Sequence, residues 1–270
     1  MATHPNAIVE DGARLGAGVE IGPFCHVGGN VTLSDGVRLL SNVCIMGNTT
    51  LGARSVVHPG ATLGGPAQVR GPVHEAARLE IGEDSVIREC VTMNAGSAGG
   101  RGTTRVGSRG YFMAYSHVGH DCQVGDDVTF ANGANLGGHV EIGDGVILGG
   151  LSAVQQRGRV GKGAMVGGIT GVNRDVIPYA MAFGDHAELA GLNLIGLKRR
   201  KLSRQTINAM RSAFREIFLH EGGSLSDRAR SARERWQGVA EVAEIADFIL
   251  AEAHQPLCTA RRDRMLADGD

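Results

Sequence analysis

Aromatic residues are scarce in this chain, with 7 Phe, 3 Tyr and 1 Trp in 270 positions. A core filled by large rings is therefore excluded, and the interior has to be built from aliphatic side chains. Cysteine is also sparse. Cys25, Cys44, Cys90, Cys122 and Cys258 are odd in number and never in C-x-x-C spacing. That excludes a disulfide framework or a zinc ribbon and reads as small buried residues in a reducing compartment. An excess of one charge is missing too, since 27 basic and 28 acidic side chains leave a net charge of −1. Bulk binding of nucleic acid has no electrostatic support. No apolar run approaches the roughly 18 residues of a membrane span, and the first residues, Met1-Ala2-Thr3-His4-Pro5, lack the basic and apolar regions of a signal peptide. A soluble, cytoplasmic protein is expected.

Glycine is what the chain has in excess: 42 residues, 37 of them before Gly196. No three-residue period exists, so collagen is excluded, and abundant aliphatic residues exclude disorder. The aliphatic residues recur every sixth position. One run goes from Val9 through Leu15, Ile21 and Val27 to Leu63, and a second from Val106 through Val118 and Leu136 to Val172, joined by Ile81, Ile87 and Met93. Two positions before each lies a smaller residue, as in Ser116, Cys122, Val128 and Ala134. Spacing of two along an extended strand puts both sets on one face. Each unit is thus a short strand and a sharp corner, where glycine tolerates positive φ. Three units make a coil of 18 residues, and such coils stack at about 4.8 Å into a prism that is buried only between neighbours. Hexapeptide repeats of this kind resemble the left-handed parallel β-helix of the hexapeptide transferases; the handedness is implied by that resemblance and not by the period.

The rhythm breaks at Gly65–Glu80 and Ala95–Arg105, which are expected to be loops leaving a rigid scaffold, a common place for function. After Pro178 the pattern becomes helical. Ile207, Met210, Phe214, Ile217 and Phe218 follow helical spacing within Ser203–Leu219, and further helices are expected near Leu225–Trp236 and Val239–Ala253. The fold class is mostly β, with a β-helix over residues 1–190 and an α-helical domain over 191–270. From Gly196 onward 14 basic and 11 acidic residues give a net charge of +3.

Polar functional groups are densest at Ser116-His117-Val118-Gly119-His120-Asp121-Cys122. Counting by coils puts Gly138 and then Gln156 above His120, and His139 above Asp121. An imidazole beside a carboxylate, facing a glycine whose N–H is free, supplies the parts of an acyl transfer. Cys122 occupies a small inward position, so it is expected to be inert and buried. His117 and His120 are three residues apart and do not share a strand face, which disfavours a metal site.

The stretch His117-Val118-Gly119-His120-Asp121-Cys122 resembles the H-x-x-H-D-C motif of the UDP-N-acetylglucosamine O-acyltransferase family of lipid A biosynthesis. The similarity continues through Asn132–His139, Gly149–Gln156, Pro178-Tyr179 and Gly196-Leu197-Lys198-Arg199-Arg200, nearly the whole chain. The resemblance implies a homotrimer with active sites between adjacent prisms. It implies transfer of a 3-hydroxyacyl group from the phosphopantetheine of acyl carrier protein to the sugar 3-hydroxyl, with no bound cofactor or metal. His120 would be the general base, Asp121 its orienting partner and Gly138 the N–H donor to the oxyanion. Gln68, His117, His139 and Gln156 would line the substrate cleft. Asn193, Arg199 and Arg200 would contact the nucleotide or phosphopantetheine, where Arg suits phosphate. Gly168 and His186 fall in the region that limits acyl length. The basic run Lys198-Arg199-Arg200-Lys201 would also attract an acidic carrier protein.

Four positions depart from the family pattern. Val69 and Gly71 stand where it has Asp and Lys in the first loop, Gln155 replaces a His, and Ile195 replaces a Glu. Two other readings therefore stay open: a diverged paralogue acylating a different UDP-sugar or amino sugar, and a non-catalytic or metal-binding β-helix trimer using His117, His139 and others.

Overall fold

The computed structural model describes residues 2–72, 74–220 and 222–260, so the end of the expected helical domain, 261–270, lies outside them. Strands as short as two residues succeed one another around three sheets of eleven, nine and eight strands. Within the coils all pairing is parallel. For example, His117 is in register with Asn135, and Gln123 with Glu141. The second residue of nearly every short strand is the sixth-position aliphatic, and it points inward: Ile45, Leu51, Val118 and Leu148 have no exposed surface.

The prism has three edges, one at each passage between sheets. The first follows strands such as Tyr111–Phe112 and leads to His117–Val118. The second follows His117–Val118 and leads to Gln123–Val124. The third follows Glu141–Ile142 and leads to Ile147–Leu148. Glycine was expected at the sharp positions of these edges. Many are occupied instead by ordinary residues at positive φ, among them Asp121 (60°), His139 (61°), Leu151 (58°) and the β-branched Ile169 (55°). Each costs roughly 1–2 kcal/mol of local strain, which the stacked backbone hydrogen bonds of the coils above and below hold in place, as in His139 N–H to the His120 carbonyl at 2.8 Å.

Both interruptions are shorter than the sequence suggests. Strand resumes at Arg78–Ile81 and at Thr103–Val106, so the excursions cover 66–77 and 95–102. Each leaves the prism after a strand of the nine-stranded sheet and returns in the eight-stranded one. That is the second edge, the one carrying His120. The Asn94 amide donates to the Pro66 carbonyl at 2.7 Å and roots one loop on the other.

The stack ends in an antiparallel pair, Ala180–Phe183 with Glu188–Leu192, which the period could not reveal. Four helices follow: α1 Leu194–Arg199, α2 Arg204–Phe218, α3 Leu225–Arg235 and α4 Ala240–Leu250. The last three match the helical spacing, α4 ending earlier than expected; α1 went unread. Met210, Phe214 and Ile217 form the buried stripe of α2. The chain then turns back onto the prism, with Asp175 bridging Leu257 and Leu189 bridging Ala260. Arg159, its guanidinium 2.6 Å from the Asp175 carboxylate, also lies 4.3 Å over the Phe248 ring of α4 and so ties the helices to the upper coils.

The largest rings of the prism core, Phe112 and Phe130, meet edge to face at 5.0 Å and are fully buried. Phe130→Ala would leave a cavity that neighbouring coils, fixed by their register, cannot fill. A loss of about 3–5 kcal/mol in unfolding free energy is expected, measured by denaturant titration; a loss below about 1 kcal/mol would contradict this account of the core.

Candidate active site

His120 and Asp121 sit at the turn of the second edge, between strands His117–Val118 and Gln123–Val124. His120 is buried, and its Nδ1 lies 2.8 Å from Asp121 Oδ2. A carboxylate can only accept, so Nδ1 carries a proton, and in the neutral imidazole it is Nε2 that holds the lone pair. Asp121 is itself without exposed surface. Burial would raise its pKa, but hydrogen bonds from Ser97 and His120 outweigh that and hold it below the ordinary aspartate value.

Gly138 stands in the next coil against the imidazole. A Cβ built there would lie 2.4 Å from both Cε1 and Nε2 of His120, so only glycine leaves the ring its place. The Gly138 carbonyl accepts from Arg157 N–H, while among the described residues its own N–H donates to nothing. His139 packs edge-on to His120, ring centres 4.9 Å apart, with Nε2 3.9 Å from the Asp121 carboxylate. Burial pushes the His139 pKa down, as do Arg157, His120 and Arg101, against the pull of Asp121. His117 faces outward from its strand with Nδ1 2.8 Å from Thr92 Oγ1, and its pKa is also lowered, chiefly by burial. Around His120, then, the edge carries neutral imidazoles and one buried carboxylate. Such a set can take a proton from a hydroxyl or amine at Nε2 while a backbone N–H faces the same space.

The expected site residues fall on all three edges. Gln68, on the first loop, and Gln156, two coils above His120, share the second edge and are exposed. Gly168 is exposed on the first edge, and His186 lies in the turn of the terminal antiparallel pair, where its Nδ1 is 3.2 Å from the Asn173 amide. Asn193 and Arg200 are at the third edge. The Asn193 side chain is buried, accepts from Gly196 N–H as the cap of α1 and donates to the Gly163 carbonyl at 3.1 Å. Arg200 reaches the Asp144 carbonyl at 3.2 Å and lies 5.8 Å over the Tyr179 ring, while Arg199 is exposed.

Cys122 has no exposed surface and its thiol is pushed up to about 12 by burial, so it is no nucleophile. Cys44 and Cys90, expected to be buried, are only partly so, and all five cysteines are free. His120, Asp121 and His139 offer ligand atoms within 4.8 Å of one another. A metal held through Asp121 Oδ2 would compete with the Ser97 hydroxyl at 2.6 Å and His120 Nδ1 at 2.8 Å for that oxygen. The metal-binding reading expected His117 in the group, but that imidazole belongs to Thr92 instead.

Residues 175–258 match the family model for UDP-N-acetylglucosamine O-acyltransferase, domain 2. The chain is 53% identical to the acyl-[acyl-carrier-protein]–UDP-N-acetylglucosamine O-acyltransferase of Caulobacter vibrioides, over 97% of this chain and 100% of that relative. The chain belongs to this acyltransferase family. The corresponding protein of Azorhizobium caulinodans is 52% identical over 96% of this chain and 95% of its own length. Among solved structures, the UDP-N-acetylglucosamine acyltransferase from Campylobacter jejuni superposes with a TM-score of 0.90 at 33% identity, covering 96% of this chain and 100% of that one. In this member of the family His120, Asp121 and Gly138 come together at one edge, and the four positions read as departures lie at the surface: Val69 and Ile195 are 47% and 66% exposed, and Gln155 and Gly71 are exposed as well. Sequence reasoning missed Ser97 and Gly102 around Asp121, for which the only signal was the broken period between Met93 and Val106; the period gave Thr104 as a small inward residue but not its bond to Asp121.

Proposed function

We propose that the chain transfers a 3-hydroxyacyl group from acyl carrier protein to the 3-position of UDP-N-acetylglucosamine, the first step of lipid A biosynthesis. The observation that carries this reading is the buried His120–Asp121 pair opposed to the free Gly138 N–H, in a chain whose relatives are named for O-acyl transfer from acyl carrier protein to UDP-N-acetylglucosamine. His120 Nε2 removes the proton of the acceptor as its oxygen attacks the thioester carbonyl. Gly138 N–H receives the oxyanion, and the thiolate leaves with the phosphopantetheine, the donor's own carrier, so no resident cofactor or metal is required. Asp121 stabilises the imidazolium formed on the way. His117, His139, Gln68 and Gln156 line the acceptor side.

The working unit is a homotrimer of left-handed prisms, each followed by its C-terminal helices. One ligand cannot touch three edges of a single prism, yet Gln156, Gly168, His186, Asn193 and Arg200 are divided among them; adjacent copies can bring different edges to one cleft. Exposed Phe24, Tyr115, Leu151 and Ile169 all lie along the first edge, an apolar line of the kind that copies cover. Acyl carrier protein meets the basic turn Lys198–Lys201. No helix among the described residues is long and apolar enough to cross a membrane, in keeping with a cytoplasmic place of work.

The test is to incubate the purified protein with acyl carrier proteins bearing a panel of acyl chains and with UDP-N-acetylglucosamine or its 3-amino analogue, following product by mass spectrometry, with and without chelator. Acylated sugar nucleotide in both conditions supports the reading; no product from either acceptor overturns it, and loss on chelation favours the metal-dependent one. The first loop bears on which acceptor is preferred. Two missing polar contacts, each about 0.5–1.5 kcal/mol, correspond to roughly one to two orders of magnitude in acceptor affinity. Restoring Lys at Gly71 is unsuitable, because that residue has φ of +138° and a side chain there would strain the loop. Val69→Asp alone is expected to lower KM for UDP-N-acetylglucosamine about three- to tenfold with KM for the acyl donor unchanged; a KM that does not move would show that this loop does not reach the acceptor.

A further inference from the structure

We propose that Ser97 is a positioning residue of the reaction, holding the Asp121 carboxylate so that one of its oxygens faces His120. The proposal rests on the reading of His120 as the general base. It assigns a task to the second loop, 95–102, which otherwise has none.

Asp121 turns inward beneath that loop, out of contact with water. Its Oδ2 accepts the Ser97 hydroxyl at 2.6 Å, the Ser97 N–H at 3.1 Å and His120 Nδ1 at 2.8 Å. Its Oδ1 accepts the Gly102 N–H at 2.9 Å and shares the Ser97 N–H at 3.2 Å. The loop closes this tightly because Gly100 lies over the carboxylate, where a Cβ would come within 2.4 Å of Oδ2. The backbone of Asp121 is fixed independently, its N–H donating to Thr104 Oγ1 at 2.7 Å. Thus the loop supplies the donors that water would otherwise give a carboxylate, and it supplies them from fixed directions.

The Ser97 hydroxyl and the His120 Nδ1–H share the same oxygen. The hydroxyl therefore sets the rotation of the carboxylate plane that the imidazole meets. Without it, the Gly102 and Ser97 N–H groups still hold the carboxylate in the loop, but apart from His120 Oδ2 keeps only the longer Ser97 N–H bond, which it shares with Oδ1, and its line to Nδ1 is less firmly set. The other charged and titratable groups facing the carboxylate are few. His139 approaches from the next coil at 3.9 Å, and Arg101 lies over the Asp121 carbonyl at 3.3 Å while pairing with Glu141. None of them donates to Oδ2 at hydrogen-bonding distance, so none substitutes for the hydroxyl.

Ser97→Ala removes one donor from an anion in a site without water. The carboxylate form is then less favoured, Asp121 takes up a proton at higher pH, and the acid limb of the kcat profile moves up in pH. A lost hydrogen bond to a charged group and a looser imidazole together predict kcat about tenfold lower. KM for either substrate should stay within about twofold, since Ser97 touches neither. Ser97→Thr keeps the hydroxyl and should restore both kcat and the acid limb. A merely structural role would lower the unfolding midpoint and leave the pH profile where it was.

The experiment has two arms, on the full-length protein. In the first, kcat is measured against pH for wild type, S97A and S97T. In the second, the downfield proton resonance of His120 Nδ1–H, identified by its absence in H120A, is followed in the same variants without substrate. The expected result is a lowered kcat, an upward shift of the acid limb and a displaced or lost resonance in S97A, all restored in S97T. An S97A protein with the wild-type profile and an unmoved resonance overturns the proposal. If wild type transfers no acyl group while the resonance still depends on Ser97, the positioning stands and it is the functional reading that fails. Should S97A not fold, S97C, which keeps the volume and offers only a weak S–H donor, carries the same expectations.

Discussion

His120→Ala is expected to lower kcat by about 10²–10⁴, the range for loss of a positioned general base. The expectation is large because the two imidazoles that flank His120 are poorly placed to take over. His139 Nε2 is directed toward Asp121 at 3.9 Å, and His117 is engaged with Thr92 through Nδ1. Burial lowers the pKa of both, which makes each a weaker base even if a substrate could be brought to it. The fold should survive. His120 is at an edge and not among the inward aliphatic residues, and Asp121 keeps its donors from Ser97 and Gly102 when the imidazole is gone. Steady-state kinetics with acyl carrier protein and UDP-sugar, beside a thermal melt, checks both halves. A variant that turns over at near wild-type rate would remove His120 from the mechanism.

The sixfold period made the prism legible because each six-residue unit places one large and one small side chain inward, and stacking the units in coils buries both. Counting by coils also brought out the columns His120–Gly138 and Asp121–His139, since stacking in register turns sequence separation directly into neighbourhood. What the period could not carry was anything that leaves it. The antiparallel pair Ala180–Phe183 with Glu188–Leu192 and the return of Leu257 and Ala260 to the prism rest on isolated pairings with no repeat to announce them. Asp121 was read as the neighbour of His120, but its burial depends on the backbone path of residues 95–102, and nothing in Ala-Gly-Ser-Ala-Gly-Gly announces that a loop folds down onto a carboxylate. Expecting glycine at every sharp corner failed for a related reason: strong inter-coil hydrogen bonding lets Tyr115, Leu151 and Ile169 adopt φ near +60°, so corner geometry is imposed by the stack and not chosen by the residue.

Gly138→Ala tests the other half of the site, and it changes no ionisable group. The added methyl would lie 2.4 Å from Cε1 and Nε2 of His120, well inside any contact that real side chains make. Something has to move. The imidazole is held at Nδ1 by Asp121 at 2.8 Å and flanked by the His139 ring at 4.9 Å, so displacing it breaks the hydrogen bond that orients it. The alternative is a shift of the Gly138 backbone. That is resisted by the Gly138 carbonyl accepting from Arg157 N–H at 3.0 Å and by His139 N–H donating to the His120 carbonyl at 2.8 Å, and it would carry away the N–H proposed to receive the oxyanion. Either response separates the base from the oxyanion donor. Misplacement of about 1 Å costs on the order of 10² in rate, and loss of an oxyanion-hole donor about 10²–10³. A fall in kcat of at least 10² is expected, with the unfolding midpoint lowered only slightly because the residue is at an edge and outside the aliphatic core. KM for the acyl donor is expected to change little. A Gly138→Ala protein with kcat within about threefold of wild type would mean that the imidazole adapts without losing function, and the close approach of this glycine would then have no part in the chemistry.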